Sequence, residues 1–474
     1  MPDTRKSIKK IKSGLMSRGL SLARVTATVG GKAAAFRIQK VLSDSERFKK
    51  KAEELLASQA ISIVSEMEKL KGSIMKTGQI LSIYGEYFFP KEVNAILKTL
   101  QKDSAPLVWS EIEKIINSRM SVDDINDLKI DQKCIGAASL GQVHRAHVNS
   151  TGMEIVLKIQ YPKVKEAIDQ DLKMLRSLFK VAKLFPADFS REKIDLIFGE
   201  LRSLLHQEID YKSEFLLTER YRNAISDDSR YIVPIPDSRF SSEFILATTF
   251  EDGFALDSNE VLGLSQVRKN RLAESFLDLY FREIFDFGFV QTDTHFGNYA
   301  VSLGESSDRW ILFDFGAVRE YPESFLLNYK KLIAAIYDND TEALNSAAID
   351  FGMATEVGDE IFLNHFSTVC GLLGEPFSDR KNVSAVGSRY LSAAGEYHWG
   401  NTDLPDRVID KAKGIAKDFR FRLPPKENIS LDRKISGVFM VLKKLNAEIN
   451  SREILGRWVR KFKDEINSKE ILTN

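Results

Sequence analysis

Between Val290 and Arg319 the chain sets an aspartate and an asparagine five residues apart, Asp293 and Asn298. A short hairpin pattern then delivers a second aspartate in Asp314-Phe315-Gly316. Phosphoryl transfer needs a carboxylate at the incoming nucleophile and oxygen or amide ligands for Mg²⁺ beside the phosphates. Asp293 suits the first task, and Asn298 and Asp314 suit the second. Asp-Phe-Gly alone is common by chance. The two motifs in this order and spacing point to an Mg²⁺-phosphate site and require the rest of the chain to supply the nucleotide side.

A chain of 474 residues has room for two or three units, or for two lobes plus an extension. Its 43% apolar and 28% charged content is that of an ordinary globular protein, and a net charge of +1 exerts no overall pull on nucleic acid. Cys134 and Cys370 are the only cysteines, which excludes a disulfide framework and suits a reducing compartment. No apolar run is long enough to span a bilayer, and no apolar core follows the basic N-terminus as a secretory signal would require. The expectation is a cytoplasmic protein, with any membrane contact peripheral and on the inner face.

Four stretches follow from composition and pattern. Residues 1–41 carry ten Lys or Arg against one acid, Asp3. This is either a segment drawn to anionic lipid headgroups or a flexible basic arm. Phe36 is its only aromatic residue, too few for stacking on nucleic acid. Residues 42–125 read as a helical extension, and the run Lys71-Gly72-Ser73-Ile74-Met75-Lys76-Thr77-Gly78-Gln79 places two glycines inside a helical pattern. Each costs about 1 kcal/mol relative to Ala. That cost suggests close approach of the helix to a ligand or another backbone, although the local pattern by itself favours a simple helix crossing.

Residues 126–252 read as a small sheet. A strand leads through the small-residue turn Gly136-Ala137-Ala138-Ser139 to Gln142 and a second strand. A turn at Asn149-Ser150-Thr151-Gly152 then leads to Glu154-Ile155-Val156-Leu157-Lys158-Ile159. This is the order in which a loop lies over phosphates and a strand lysine sits beneath it. Taken alone, Lys158 reads better as a lysine on an exposed strand edge. A helix predicted over Ile194–Tyr221 offers Glu214 and Glu208, ahead of Glu200, as the carboxylate to orient Lys158; spacing selects none of them. Tyr231–Pro236 and Phe244–Gly253 read as two more strands of this sheet, the second ending in a hinge-like segment at Thr249 and Glu251 whose backbone suits adenine. Residues 253–474 read as mainly helical, with a long helix over Val267–Phe289 leading into the aspartate loop.

Together these motifs resemble the UbiB/AarF-like atypical kinase family, from about Leu70 to Tyr337. The Lys76-x-Gly78-Gln79 element, the Ala-rich loop, Glu208-x-Asp210, the Asp293/Asn298 loop and Asp314-Phe315-Gly316 stand in the family's order. The resemblance implies an α+β, protein-kinase-like two-lobed fold: a small N-lobe β-sheet with a helical N-terminal extension, and a mainly helical C-lobe. It implies ATP or ADP and Mg²⁺ as cofactors. Lys158 would bind the α/β-phosphates and pair with Glu214, Asn298 and Asp314 would hold Mg²⁺, and Asp293 would be catalytic. Gly136, Ala137, Ala138, Ser139, Gln142, Thr249 and Glu251 would contact nucleotide. Lys76, Gly78, Gln79, Glu208 and Asp210 would shield the site from protein substrates, with Lys76 near Glu208. Relatives of this kind look like ATP-binding proteins that support ubiquinone or other isoprenoid-lipid metabolism.

The chain departs from the family pattern where Thr294 and Phe296 replace prolines around the loop histidine, and Gln291-Thr292 replaces the protein-kinase His-Arg. His295 stands where protein kinases carry a lysine; it either contacts the γ-phosphate or braces the loop. Two other functions compete: a protein kinase acting on protein substrates, and a non-catalytic module binding nucleotide or lipid.

Overall fold

The structure, a computed structural model, describes residues 106–137, 140–181, 191–351, 360–408, 410–411 and 426–473, with 58, 61, 76–78 and 81. The basic segment 1–41, Gln79, Ala138 and Ser139 lie outside these residues. The chain divides into two compact units, Met1–Glu219 with Ile235–Phe250, and Arg220–Pro234 with Glu251–Asn474.

The first unit is built on an antiparallel sheet. It orders β1 (Leu128–Ile130), β3 (Gly141–Val148), β4 (Glu154–Gln160) and β6 (Ile245–Thr249), with β2 (Gly136–Ala137) also on β3. Strand β4 shows why: Ile155, Leu157 and Ile159 are fully buried, while Glu154, Val156 and Lys158 take the opposite face. Each of those three buried side chains contributes about 1.5–3 kcal/mol. Gly152, with φ of +75°, closes the β3–β4 turn where the sequence places it.

Three helices follow β4: α3 (Val164–Val181), α4 (Arg191–Gln207) and α5 (Tyr211–Ala224), after α1 (Trp109–Arg119) and α2 (Val122–Asn126) earlier in the chain. Helix α3 has no counterpart among the sequence expectations. Its signal is present, since Val164, Ile168, Leu172, Leu175 and Phe179 recur at helical spacing and are buried. The single helix expected over Ile194–Tyr221 is instead two. The chain breaks at Glu208–Asp210, and the Asp210 carboxylate accepts from the Ser213 N–H at 3.1 Å to start α5 afresh.

In the second unit a sheet orders β5 (Tyr231–Ile232), β10 (Arg309–Leu312), β9 (Tyr299–Ser302) and β7 (Phe254–Ala255). Strand β5 corrects an expectation: it pairs in parallel with β10, Tyr231 opposite Trp310, rather than joining the first sheet. Pro234 and Pro236 follow it and lack the N–H a continuous ladder needs, so only a bridge at Pro236–Thr248 returns to β6.

After α6 (Asn259–Leu262), helix α7 (Gln266–Arg282) runs into a π-helical turn at Glu283–Phe287, which Gly288 ends with φ of +71°. Strand β8 (Phe289–Gln291) then enters the aspartate loop and pairs with β11 (Val318–Glu320). The remaining helices include α8 (Glu323–Asp338), α9 (Thr341–Asp350), α10 (Glu360–Leu373), α11 (Lys426–Lys444) and α12 (Ser451–Thr473). The core beneath the aspartate loop is aromatic: Phe276 meets Tyr299 edge to face and also packs on Trp310. Among the described residues no helix is long and apolar enough to cross a membrane.

Candidate active site

In the first unit the alternation of β4 turns Lys158 away from the core, and the first turn of α5 carries Glu214 to it. Lys158 Nζ donates to both Glu214 oxygens, at 2.7 and 2.9 Å. Glu214 is nearly inaccessible and Lys158 about one-quarter exposed, so the pair is a desolvated, charge-assisted contact with one side open. The ring of Tyr211 lies 5.3 Å from the same ammonium. Of the candidate carboxylates, the structure brings Glu214 to Lys158.

Glu208 takes a different partner, Lys76, at 2.6 Å. Residues 76–78 are helical, and Thr77 and Gly78 are buried. The segment bearing Glu208 and Asp210 is tied to the sheet by Gln160, whose Nε2 donates to Ile209 O at 2.8 Å. The two members of Glu208-x-Asp210 therefore do separate things: Glu208 holds the Lys76 helix, and Asp210 caps the helix that delivers Glu214.

Two of the expected nucleotide contacts are corrected. Gln142 is only 1% exposed, and its side chain grips the segment before α1. Its Oε1 accepts from Leu107 N–H at 2.8 Å, and its Nε2 meets His144 at 2.8 Å. The polar side chain fills the bonds of a buried backbone group and is not aimed at a ligand. At Thr249 the N–H donates to Ile235 O and Oγ1 accepts from Ile235 N–H, both at 2.9 Å, so this amide is no donor for adenine. Glu251 begins the next stretch of the second unit. Gly136 and Ala137 pair with Val143 and Gln142 at the base of the loop. A Cβ on Gly141 would stand 2.6 Å from Ile159 O and 2.9 Å from the Tyr211 hydroxyl, so the loop returns through a position only glycine fits.

In the second unit Asn298 and Asp293 are brought together. Asn298 Nδ2 donates to Asp293 O at 3.0 Å and to Asp293 Oδ2 at 3.1 Å. His295 braces this turn, since its Nδ1 accepts from Gly297 N–H at 3.1 Å. Asp314 has φ of +58°, in the left-handed region that costs a non-glycine residue energy and concentrates at functional sites. Its turn is closed by Gly316 N–H donating to Oδ1 at 3.3 Å. Gln291, which stands where a protein kinase has histidine, supports it: Nε2 donates to Asp314 O at 2.9 Å and to Phe313 O at 3.1 Å.

Sequence reasoning missed the layer behind these groups. Glu283, in the π-helical turn, accepts from Gln291 N–H at 3.0 Å and from Tyr221 OH at 2.9 Å. Its other oxygen meets Lys434 of α11 at 2.8 Å, and both side chains are buried. Burial, with the Glu283 carboxylate as the next cause, pushes the Tyr221 phenol well above its ordinary value and keeps it a donor. Arg433 of α11 donates to Asp293 Oδ1. A glutamate in a helical stretch and two basic residues on a distant helix read as solvated faces; only a π-type widening of the turn, invisible in the pattern, brings Glu283 inward.

The residues present fit a hard cation. With its Nδ2 committed twice to Asp293, Asn298 offers its amide oxygen, and Asp314 adds a carboxylate. Among the described residues no group of three or more His, Cys, Asp or Glu could cage a metal alone. Such a pair suits Mg²⁺, which keeps waters and takes its remaining ligands from substrate phosphates.

A sheet bearing a Lys–Glu ion pair and a largely helical unit bearing the Asp–Asn loop define a protein of kinase-like fold. Residues 99–348, more than half of the chain, match the ABC1 atypical kinase-like domain, and the chain belongs to that family. Membership places it among kinase-like ATPases and phosphotransferases. It is 28% identical over 458 residues to the mitochondrial atypical kinase COQ8 of Saccharomyces cerevisiae, covering 95% of this chain and 86% of that one. The Schizosaccharomyces pombe mitochondrial COQ8 is 26% identical over 403 residues, covering 85% of this chain and 63% of that longer one. Among solved structures, the complex of Mycobacterium tuberculosis Rv3197 with erythromycin superposes with a TM-score of 0.55 at 20% identity. That match covers 86% of this chain and 97% of the other, and shows the shared fold.

Proposed function

We propose that this chain is an Mg²⁺-dependent ATP-binding atypical kinase or ATPase that supports ubiquinone or other isoprenoid-lipid metabolism at a membrane surface. The observation that carries the proposal is Asp314. A non-glycine residue held at φ of +58°, with its carbonyl fastened by Gln291, supports reading its carboxylate as a metal ligand.

In this reading Lys158, oriented by Glu214, neutralises the α/β-phosphates, and Gly136, Ala137, Ala138, Ser139 and Glu251 are further nucleotide contacts. Asn298 and Asp314 hold Mg²⁺, which when bound shields phosphate charge. Asp293 orients the attacking oxygen and accepts its proton. The Lys76–Glu208 ion pair, with Gln79, keeps a protein hydroxyl from the site. Support for the lipid role comes from the COQ8 relatives, and support for the membrane role from the basic segment 1–41.

ATP turnover with and without Mg²⁺ tests the chemistry. We expect Asp314→Asn to lower both Mg·ATP affinity and hydrolysis; unchanged values for both would refute the proposal. Sedimentation with anionic liposomes tests the surface role: deletion of residues 1–41 should weaken binding, and equal binding removes that segment from the function.

A further inference from the structure

Helix α11 lies beyond the residues matched to the family domain, yet one of its turns reaches the catalytic loop at several points. Its apolar stripe anchors it, with Leu431, Val438, Val441 and Leu442 fully buried. From that anchored backbone Lys434 meets Glu283, which in turn supports Gln291 and the Asp314 carbonyl. Thr294 Oγ1 donates to Arg433 O at 3.4 Å. At Gly437 a Cβ would overlap both Oγ1 and Cβ of Thr294, so helix and loop touch backbone to side chain.

Arg433 differs from these fasteners. Its guanidinium donates to Asp293 Oδ1, while the other carboxylate oxygen accepts from Asn298 at 3.1 Å. The pair is part-exposed, 27% at Arg433 and 14% at Asp293. Such a half-buried pair, still partly screened by water, adds only modestly to stability. It instead fixes the rotation of a carboxylate whose second oxygen is already taken.

We propose that Arg433 is a positioning residue for the catalytic aspartate. Resting on the function proposed above, it holds the Asp293 carboxylate in one rotamer, so that a lone pair faces the acceptor oxygen. Arginine suits this because its planar fork constrains direction, which a lysine ammonium at the same place would not. The consequence is a division within one helix turn: Lys434 and Gly437 secure the loop, and Arg433 aims it.

Steady-state ATP turnover by the full chain tests this with Arg433→Gln, Arg433→Ala, Arg433→Lys, Asp293→Asn and the Arg433→Gln/Asp293→Asn double variant, beside Asp314→Asn as a control. Misplacing a reacting group by about 1 Å can cost up to 10²-fold, so Arg433→Gln should lower kcat roughly ten- to a hundredfold with the KM for ATP little changed. The thermal midpoint should stay near that of the wild type. Arg433→Lys should recover only part of kcat, and the double variant should be no slower than Asp293→Asn alone. Added guanidinium ion should speed Arg433→Ala, a rescue that a merely structural arginine would not show. An active wild type with an inactive Asp314→Asn, but an unaffected Arg433→Gln or an additive double variant, would overturn the positioning role alone. A wild type without turnover would overturn the function beneath it as well.

Discussion

Single residues decide how the aspartate loop is held. Gly437 is required because its Cα–H faces Thr294 with no room for a methyl group. The hydroxyl of Thr294 in turn ties the loop to α11, donating to Arg433 O at 3.4 Å. Gly437→Ala should lower stability by about 1–3 kcal/mol or more through overpacking, measured by urea unfolding. Adding Thr294→Gly should return part of the loss; no loss in the single variant would mean that helix and loop are further apart. Of the proposed site residues, Lys158, Asp293, Asn298 and Asp314 could be offered from the sequence because each sits in a short motif with chemical meaning. Gln142 was misread, since a polar side chain beside a phosphate-type loop looks like a ligand until its burial is known. Arg433, Lys434 and Gly437 had no local signal, because their meaning lies in contact with residues far away in the chain.

At the scale of elements, two helices control the site. Helix α5 begins at Asp210, and the periodicity that suggested one continuous helix conceals this break. Asp210→Ala should cost about 1 kcal/mol from the lost cap and loosen the turn bearing Glu214. Thermal unfolding checks the first effect, and weaker nucleotide binding the second. Helix α11 carries a different liability in Asp432, whose carboxyl is pushed up to about 7 by burial alone. Its value is raised in the folded state, so between its ordinary value and about 7 the folded chain holds a proton that the unfolded chain releases. This group's contribution to stability is therefore full at low pH and falls as pH rises through that window. Asp432→Asn should gain most stability over the wild type at about pH 7.5 and least at about pH 4. A difference independent of pH would show that Asp432 is ionised in the folded chain.

For the whole molecule, the sequence conveyed the class of fold because its motifs fall in a family order, and the sheet strands followed from two-residue alternation. It did not convey the placement of Tyr231–Ile232, which the prolines after it send to the second unit's sheet, nor helix α3, whose regular spacing lies in a stretch without a motif. The Lys76–Glu208 ion pair bears on what the molecule acts on. If it shields the site, the wild type should transfer no phosphate to protein or peptide in trans, and Lys76→Ala should raise any such transfer; robust transfer by the wild type would refute shielding. The central claim is that Lys158 and Asp314 are both needed to bind Mg-nucleotide. Calorimetric titration of ATP in Mg²⁺ and in chelator, for the wild type, Lys158→Met and Asp314→Asn, tests it most directly. Tight binding by the wild type in Mg²⁺ alone, weakened at least tenfold by chelator and by either substitution, is the predicted result. Equal affinity in all of these conditions would contradict it.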